Sequence, residues 1–423
     1  MTHIKPEAVR NQSSDSIEKI LHLGLLAAQQ QDWLLVSNYL QQLPQTKNHQ
    51  QAKRFALEDR DWQLAFEIAL AMLRGADFQH KWEISKLLPL FGENSLGTLI
   101  TLVKDETIPG DVRWFICQIL GNFHREQVVL TLVELLHSTT DRELMAIAGK
   151  TLTKIGNYAI DALKDLLTQP EYRYLAVQSL SYIRTVETIE PLMEVTVDNE
   201  PKLRAIAIKA LGSFHDLRIP PLLITALQDK ASAVRQEAAI ALGFRPDLCL
   251  ELDLVGHLCP LLYDLNLEVC RQTAISLGRM KCDRATQALF TVLQLDTTPD
   301  SLKLDLVKAL GWSELSSAIN YLELALANST VAVTQEIVIV LGRTNKSHLK
   351  FQAAKVLIGF WQSQNRLLES PQLRQSLATS LGELGGEWGK TTLEQLTRDS
   401  DRKVQLHAFF ALKKVISQSE KTN

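Results

Sequence analysis

Val234-Arg235-Gln236-Glu237-Ala238-Ala239-Ile240-Ala241-Leu242-Gly243 decides the fold of this 423-residue chain. Val234, Ala238, Ala241 and Leu242 fall on one side of a 3.6-residue spiral. An arginine follows the first apolar residue, a small residue precedes the leucine, and a glycine closes the segment. Aligned on that leucine, the pattern returns at Leu88, Leu120, Leu152, Leu180, Leu211, Leu242, Leu277, Leu310, Leu341, Leu381 and Leu412. Successive spacings are 32, 32, 28, 31, 31, 35, 33, 31, 40 and 31 residues, about 32 on average. Self-similarity at such a period marks a stacked repeat array, which grows in one dimension without enlarging a single core.

Each period reads as a helical hairpin. In the unit ending at Leu211, residues 188–197 form a first apolar-periodic helix and 201–213 a second, with Asp198-Asn199-Glu200 as the turn. Eleven residues before the marker leucines stand Asp77, Pro109, Asp141, Gln169, Glu200, Ala231, Asn266, Pro299, Thr330, Ser370 and Asp401. Most of these types cap free N–H groups or preset φ, as a helix start requires. A small residue usually precedes the leucine (Thr151, Ala210, Ala241, Ser276, Ala309), so neighbouring helices can approach closely. Glycine follows it at 121, 212, 243, 278, 311, 342 and 382, where it is expected to break or tighten the helix end.

Composition agrees. Gly and Pro number only 19 and 13, too few for a many-stranded β protein, and 46% hydrophobic residues are ample for a core. A net charge of −3 is a poor match to nucleic acid, which needs a concentrated cationic excess. The five cysteines are odd in number and scattered through apolar helical sequence, as reduced thiols would be. Residues 1–15 are polar, without the apolar region of a signal peptide, and no uncharged apolar run is long enough to span a bilayer. A cytoplasmic protein with no transmembrane segment is expected.

The repeat resembles HEAT repeats, most closely the short-period kind named after phycobilisome lyases. The resemblance covers about 75–423 and rests on residues such as Leu203-Arg204, Ala207 and Ala210-Leu211-Gly212. It implies an all-α fold, a right-handed α-solenoid of antiparallel helix hairpins, in which the second helix of each pair lines the concave surface. The expected division is a divergent helical cap over 1–74, with echoing starts at Gln31-Asp32-Trp33 and Arg60-Asp61-Trp62, then about eleven units over 75–423.

Catalytic signatures are absent: no phosphate loop, no Gly-x-Ser-x-Gly elbow and no His-Glu-x-x-His. No His-Glu dipeptide occurs either, which disfavours the iron-binding chemistry of some HEAT-like enzymes. Cys249, His257, Cys259 and Cys270 are the nearest approach to a metal cluster, but their spacing fits no compact zinc pattern. They read as core residues in preference to a ligand or redox set, and no metal site is expected.

Two columns carry more information. Seven residues before the marker stand Lys81, Arg113, Arg173, Arg204, Arg235, Lys303 and Arg374. That position lies on the shoulder of the core, where a cation covers apolar surface and bonds turn oxygens; it reads as a structural ladder. Six residues before the marker, almost opposite the core, stand Trp82, Trp114 and Tyr174, with Lys86, Lys150 and Lys209 two residues before it. Aromatics do not collect on a solvent face without a contact to make, so these six are the candidate binding residues. In the C-terminal half the latter column turns apolar (Ile240, Ile275, Ile339, Phe410), as a second binding surface or a self-association face would.

The reading favoured is a non-catalytic scaffold that grips another protein along the solenoid, with no resident cofactor. By the resemblance, a phycobiliprotein is a candidate partner. The alternative is a bilin lyase, or a chaperone or degradation factor for phycobiliproteins, in which rings would stack on the tetrapyrrole and cations would pair its propionates.

Overall fold

A computed structural model describes residues 6–46 and 54–422. The chain divides into two compact units, Met1–Glu194 and Val195–Asn423. The first contains α1 (Pro6–Gln29), α2 (Trp33–Gln41), α3 (Asp59–Gly75), α4 (Phe78–Leu87), α5 (Leu96–Lys104), α6 (Gly110–Leu120), α7 (Glu126–Ser138), α8 (Arg142–Ile155), α9 (Ile160–Leu167) and α10 (Pro170–Ile183). Helix α11 (Ile189–Val195) reaches the division. The second contains α12 (Pro201–Leu211), α13 (Ile219–Ala226), α14 (Ser232–Gly243), α15 (Leu254–Leu258), α16 (Leu267–Arg279), α17 (Asp283–Leu293) and α18 (Asp300–Ser313). It continues with α19 (Ser316–Ala325), α20 (Val331–Gly342), α21 (Ser347–Gln362), α22 (Pro371–Leu384), α23 (Lys390–Leu396) and α24 (Arg402–Thr422). Among the described residues the one ladder is a two-residue antiparallel pair, Gln45 opposite Phe55 and Thr46 opposite Arg54.

Each unit is an α-solenoid of HEAT-like hairpins. The marker leucines lie in or directly after the even-numbered helices from α4 to α24. The residues eleven positions earlier stand immediately before those helices; Asp77, Asp141, Asn266 and Ser370 accept backbone N–H bonds there. Even helices stack on even helices, as α14, α16 and α18 show, while the odd helices back them. Leu88, Leu120, Leu152, Leu211, Leu242 and Leu310 are wholly buried, whereas Leu412 on α24 is half-buried.

The glycines after the markers stand at helix ends, as at Gly121, Gly212, Gly243 and Gly342, and also serve the contact between repeats. Gly121 and Gly212 keep ordinary right-handed φ of −63° and −58°, so neither turns the chain by left-handed backbone. What they lack is a β-carbon. One added at Gly212 would lie 2.6 Å from Cβ of Ala241, and one at Gly382 2.6 Å from Cβ of Ala411. At Gly278 it would meet the Ala309 carbonyl oxygen at 2.7 Å. The glycine of one repeat is the slot into which the small residue of the next repeat fits. Where that small residue carries a hydroxyl, it also donates backwards: Thr151 Oγ1 to the Cys117 carbonyl at 3.2 Å, Ser276 Oγ to Ala239 at 2.8 Å.

Helix α3 ends at Gly75 and packs on α4 as its partner, and α1 and α2 lie against α3 and α4 in the same alternation. The two echoing tripeptides are not equivalent. Asp32 caps α2 by accepting from the Leu35 N–H, whereas Asp61 and Trp62 lie inside α3. Trp62 instead donates its indole N–H to the Phe91 carbonyl at 3.0 Å and joins Phe55, Phe66 and Phe91 in a ring cluster.

Candidate functional site

The cation column forms a ladder in the second unit. Arg204 donates to both carboxylate oxygens of Asp229 (2.8 and 2.7 Å) and to the carbonyls of Asp198 and Asn199. Arg235 repeats this with Asp264 (2.7 and 2.8 Å) and the Asp229 carbonyl, and Arg374 with Asp399 (2.7 and 2.9 Å) and the Leu368 carbonyl. Each aspartate also accepts the N–H two residues on, from Ala231, Asn266 or Asp401, which presents the next helix. The bonded guanidinium groups hold the Asp229 and Asp264 carboxyls below their usual range. In the first unit, buried Lys81 pairs with Asp111 at 2.5 Å. Arg113 and Arg173 bond the carbonyls of Val103 and Leu167 there. Lys303 is half-buried.

Among the proposed binding residues, Trp82 is 36% exposed and Tyr174 is exposed, while Trp114 is half-buried. Lys86, Lys150 and Lys209 are all exposed. The Lys86 ammonium sits over the Trp82 ring, 5.5 Å from its centre. Trp114 stands edge-on to buried Phe115 at 5.1 Å. Lys209 lies in the second unit, 3.8 Å from Glu237, whose carboxyl is pushed up by burial.

Phe78 belongs with this set and was not expected. It is 65% exposed on the first turn of α4, its ring 5.3 Å from Phe115. Phe78 and Trp82 are exposed one turn apart on α4, and Phe78 reaches α6 through Phe115, which half-buried Trp114 also touches. Ala146 is exposed at the matching position of α8, so the aromatic column skips one repeat before Tyr174 on α10.

Among the described residues no set of three or more His, Cys, Asp or Glu could hold an ion. Cys270 is buried and donates to the Asp264 carbonyl at 3.2 Å, taking the ladder position of its repeat. Burial, then the neighbouring thiol of Cys282, pushes the Cys249 thiol up to about 11, so it is protonated at neutral pH.

A family model described as HEAT repeats matches residues 98–181 and 189–249. No curated protein matches the sequence. Among solved structures the chain is similar to importin beta, at 14% identity over 93% of this chain and 59% of that one, with a TM-score of 0.50. It is also similar to the karyopherin Kap121p bound to the extreme C-terminus of the protein phosphatase Cdc14p. There the identity is 16%, the coverage 91% of this chain and 52% of that one, and the TM-score 0.50. The chain thus spans little more than half the length of these proteins, and the likeness is one of fold. Among the described residues no helix is long and apolar enough to cross a membrane. The matches establish HEAT repeats over residues 98–249 and a HEAT-like solenoid as the architecture of the chain.

Proposed function

We propose that the chain is a non-catalytic protein-interaction scaffold that grips a partner on the even-helix face of its first unit. Phe78, Trp82 and Trp114 are the anchors, Lys86 and Lys150 flank them, and Tyr174 extends the contact. The observation that carries this reading is the exposed pair Phe78 and Trp82 on α4, with Phe78 against Phe115 beside half-buried Trp114 on α6. Rings beside ammonium groups suit an acidic, partly apolar surface. Lys209 is a candidate contact of the second unit by itself.

The test is capture of a protein partner by wild type and by Phe78→Ala and Trp82→Ala variants, with melting temperature measured on each. Lost capture at unchanged melting supports the surface; full capture by both variants removes it. A phycobiliprotein partner is the finer reading and rests on the resemblance of the repeat. Mixing with purified phycobiliprotein, and separately with phycocyanobilin, separates scaffold from bilin-handling protein. A shifted visible band stable through gel filtration would favour the second.

A further inference from the structure

The position three residues before the marker leucine is buried in each of the ten even helices from α4 to α22, from Ser85 to Ala378. At Cys117, Gly149 and Ala239 its carbonyl accepts a hydroxyl of the next even helix of the same unit, from Thr151, Ser179 and Ser276. On α24 the same position is Phe409, 58% exposed, with its ring 6.0 Å from that of Phe410, itself 65% exposed. Leu406 is exposed three and four residues before these rings, and Ile416 is exposed on the same arc beyond Lys413. The position buried in the other ten even helices is therefore bare on α24, and it carries a phenyl ring where they carry a side chain no larger than isoleucine.

Charge selects what fits it. Arg402, Lys403 and Lys413 are exposed on this arc, and no acid occurs on α24 between Arg402 and Ser417. The nearby carboxylates are engaged elsewhere: Glu383 pairs with Lys414, Asp399 with Arg374, and Asp401 accepts the Lys403 and Val404 N–H groups at the helix start. A second copy docking through this face would set its cations against those of the first. We propose that α24 docks an acidic amphipathic helix from another protein against Leu406, Phe409, Phe410 and Ile416, with its carboxylates meeting Arg402, Lys403 and Lys413. This surface is separate from the aromatic residues of α4 and α6.

The probe is a synthetic helix of about 20 residues with leucines at i, i+3, i+4 and i+7 and glutamates on its flanks. A matched peptide carries lysine in place of glutamate. Anisotropy with the full chain is expected to show binding of the acidic peptide, weakening with salt, and none of the basic one. Phe409→Ser with Phe410→Ser should weaken it about thirtyfold or more, with far-ultraviolet circular dichroism and melting unchanged because both rings are exposed. Arg402→Glu with Lys413→Glu should invert the preference between the peptides, and Trp82→Ala should leave it intact. No binding of the acidic peptide, equal binding of both peptides, or binding indifferent to the Phe409 and Phe410 changes would overturn the proposal. So would a dimer in sedimentation that the phenylalanine changes dissolve, or flotation with phosphatidylserine vesicles in place of peptide binding.

Discussion

Gly212 and Ala241 are fitted to each other: a β-carbon on the first would sit 2.6 Å from the β-carbon of the second. Real side chains do not approach so closely, so Gly212→Ala must push α12 from α14. The expected loss is about 1–3 kcal/mol, read as a lowered urea midpoint. Gly97 in α5 and Gly359 in α21 have nothing within 4 Å of an added β-carbon. Alanine there should stabilise by about 0.5–1 kcal/mol through helix propensity alone. Equal effects at Gly212 and Gly97 would show that the slot is not tight.

Leu242 is wholly buried and Leu412 half-buried at the same repeat position. Leu242→Ala is expected to cost about 2–5 kcal/mol through the cavity it leaves. Leu412→Ala should cost less than half as much. A Leu242→Ala loss well under about 1 kcal/mol would mean that the marker column does not hold the stack together.

Acid should reach the array through its ladder. The Asp229 and Asp264 carboxyls lie below their ordinary 3.8 because Arg204 and Arg235 bond them. A carboxyl depressed by folding stabilises the fold fully above its unfolded value, about 3.9. That contribution is lost as pH falls through the lower folded value. Arg235→Gln should raise the Asp264 titration midpoint in carboxyl-resolved NMR and lower stability at neutral pH by about 1–3 kcal/mol. An unmoved Asp264 midpoint would remove the ladder from the stability of the second unit.

Trp82 and Trp114 share a repeat position but not an environment, one exposed and one half-buried against Phe115. Trp82→Ala should change melting little, since an exposed cation–π pair with Lys86 contributes about 0.5–1 kcal/mol. Trp114→Ala should lower it measurably more. Identical melting of the two variants would contradict this difference in packing.

Helical periodicity and the marker leucine were legible because they depend on near neighbours in sequence: Leu242, its capping position and its glycine all lie within one helix. The carboxylate partners of the ladder were not legible. Asp229, Asp264 and Asp399 each stand thirteen residues before a marker leucine but pair with the arginine of the preceding repeat, a contact that the sequence of one repeat does not reveal. Phe78 escaped because it stands at the first helical position after the Asp77 cap, outside the columns compared across repeats. Cys282 escaped for a related reason: it meets Cys249 across separate elements. The role of Gly212 is a contact between repeats, which helix-end chemistry within one repeat does not reveal.

The glycine slots also give the second unit a mechanical polarity. Gly212, Gly243, Gly278, Gly342 and Gly382 each bring backbone against an alanine or serine of the following even helix, and Gly311 against Val340, so little lies between the rows to yield. That row behaves as an inextensible spine. Bending must then be taken up by the odd row, where intervening side chains can slide on one another. Tension applied along the unit should lengthen it first on the odd side, and amide exchange should quicken in α17, α19 and α21 before it does in α16, α18 and α20.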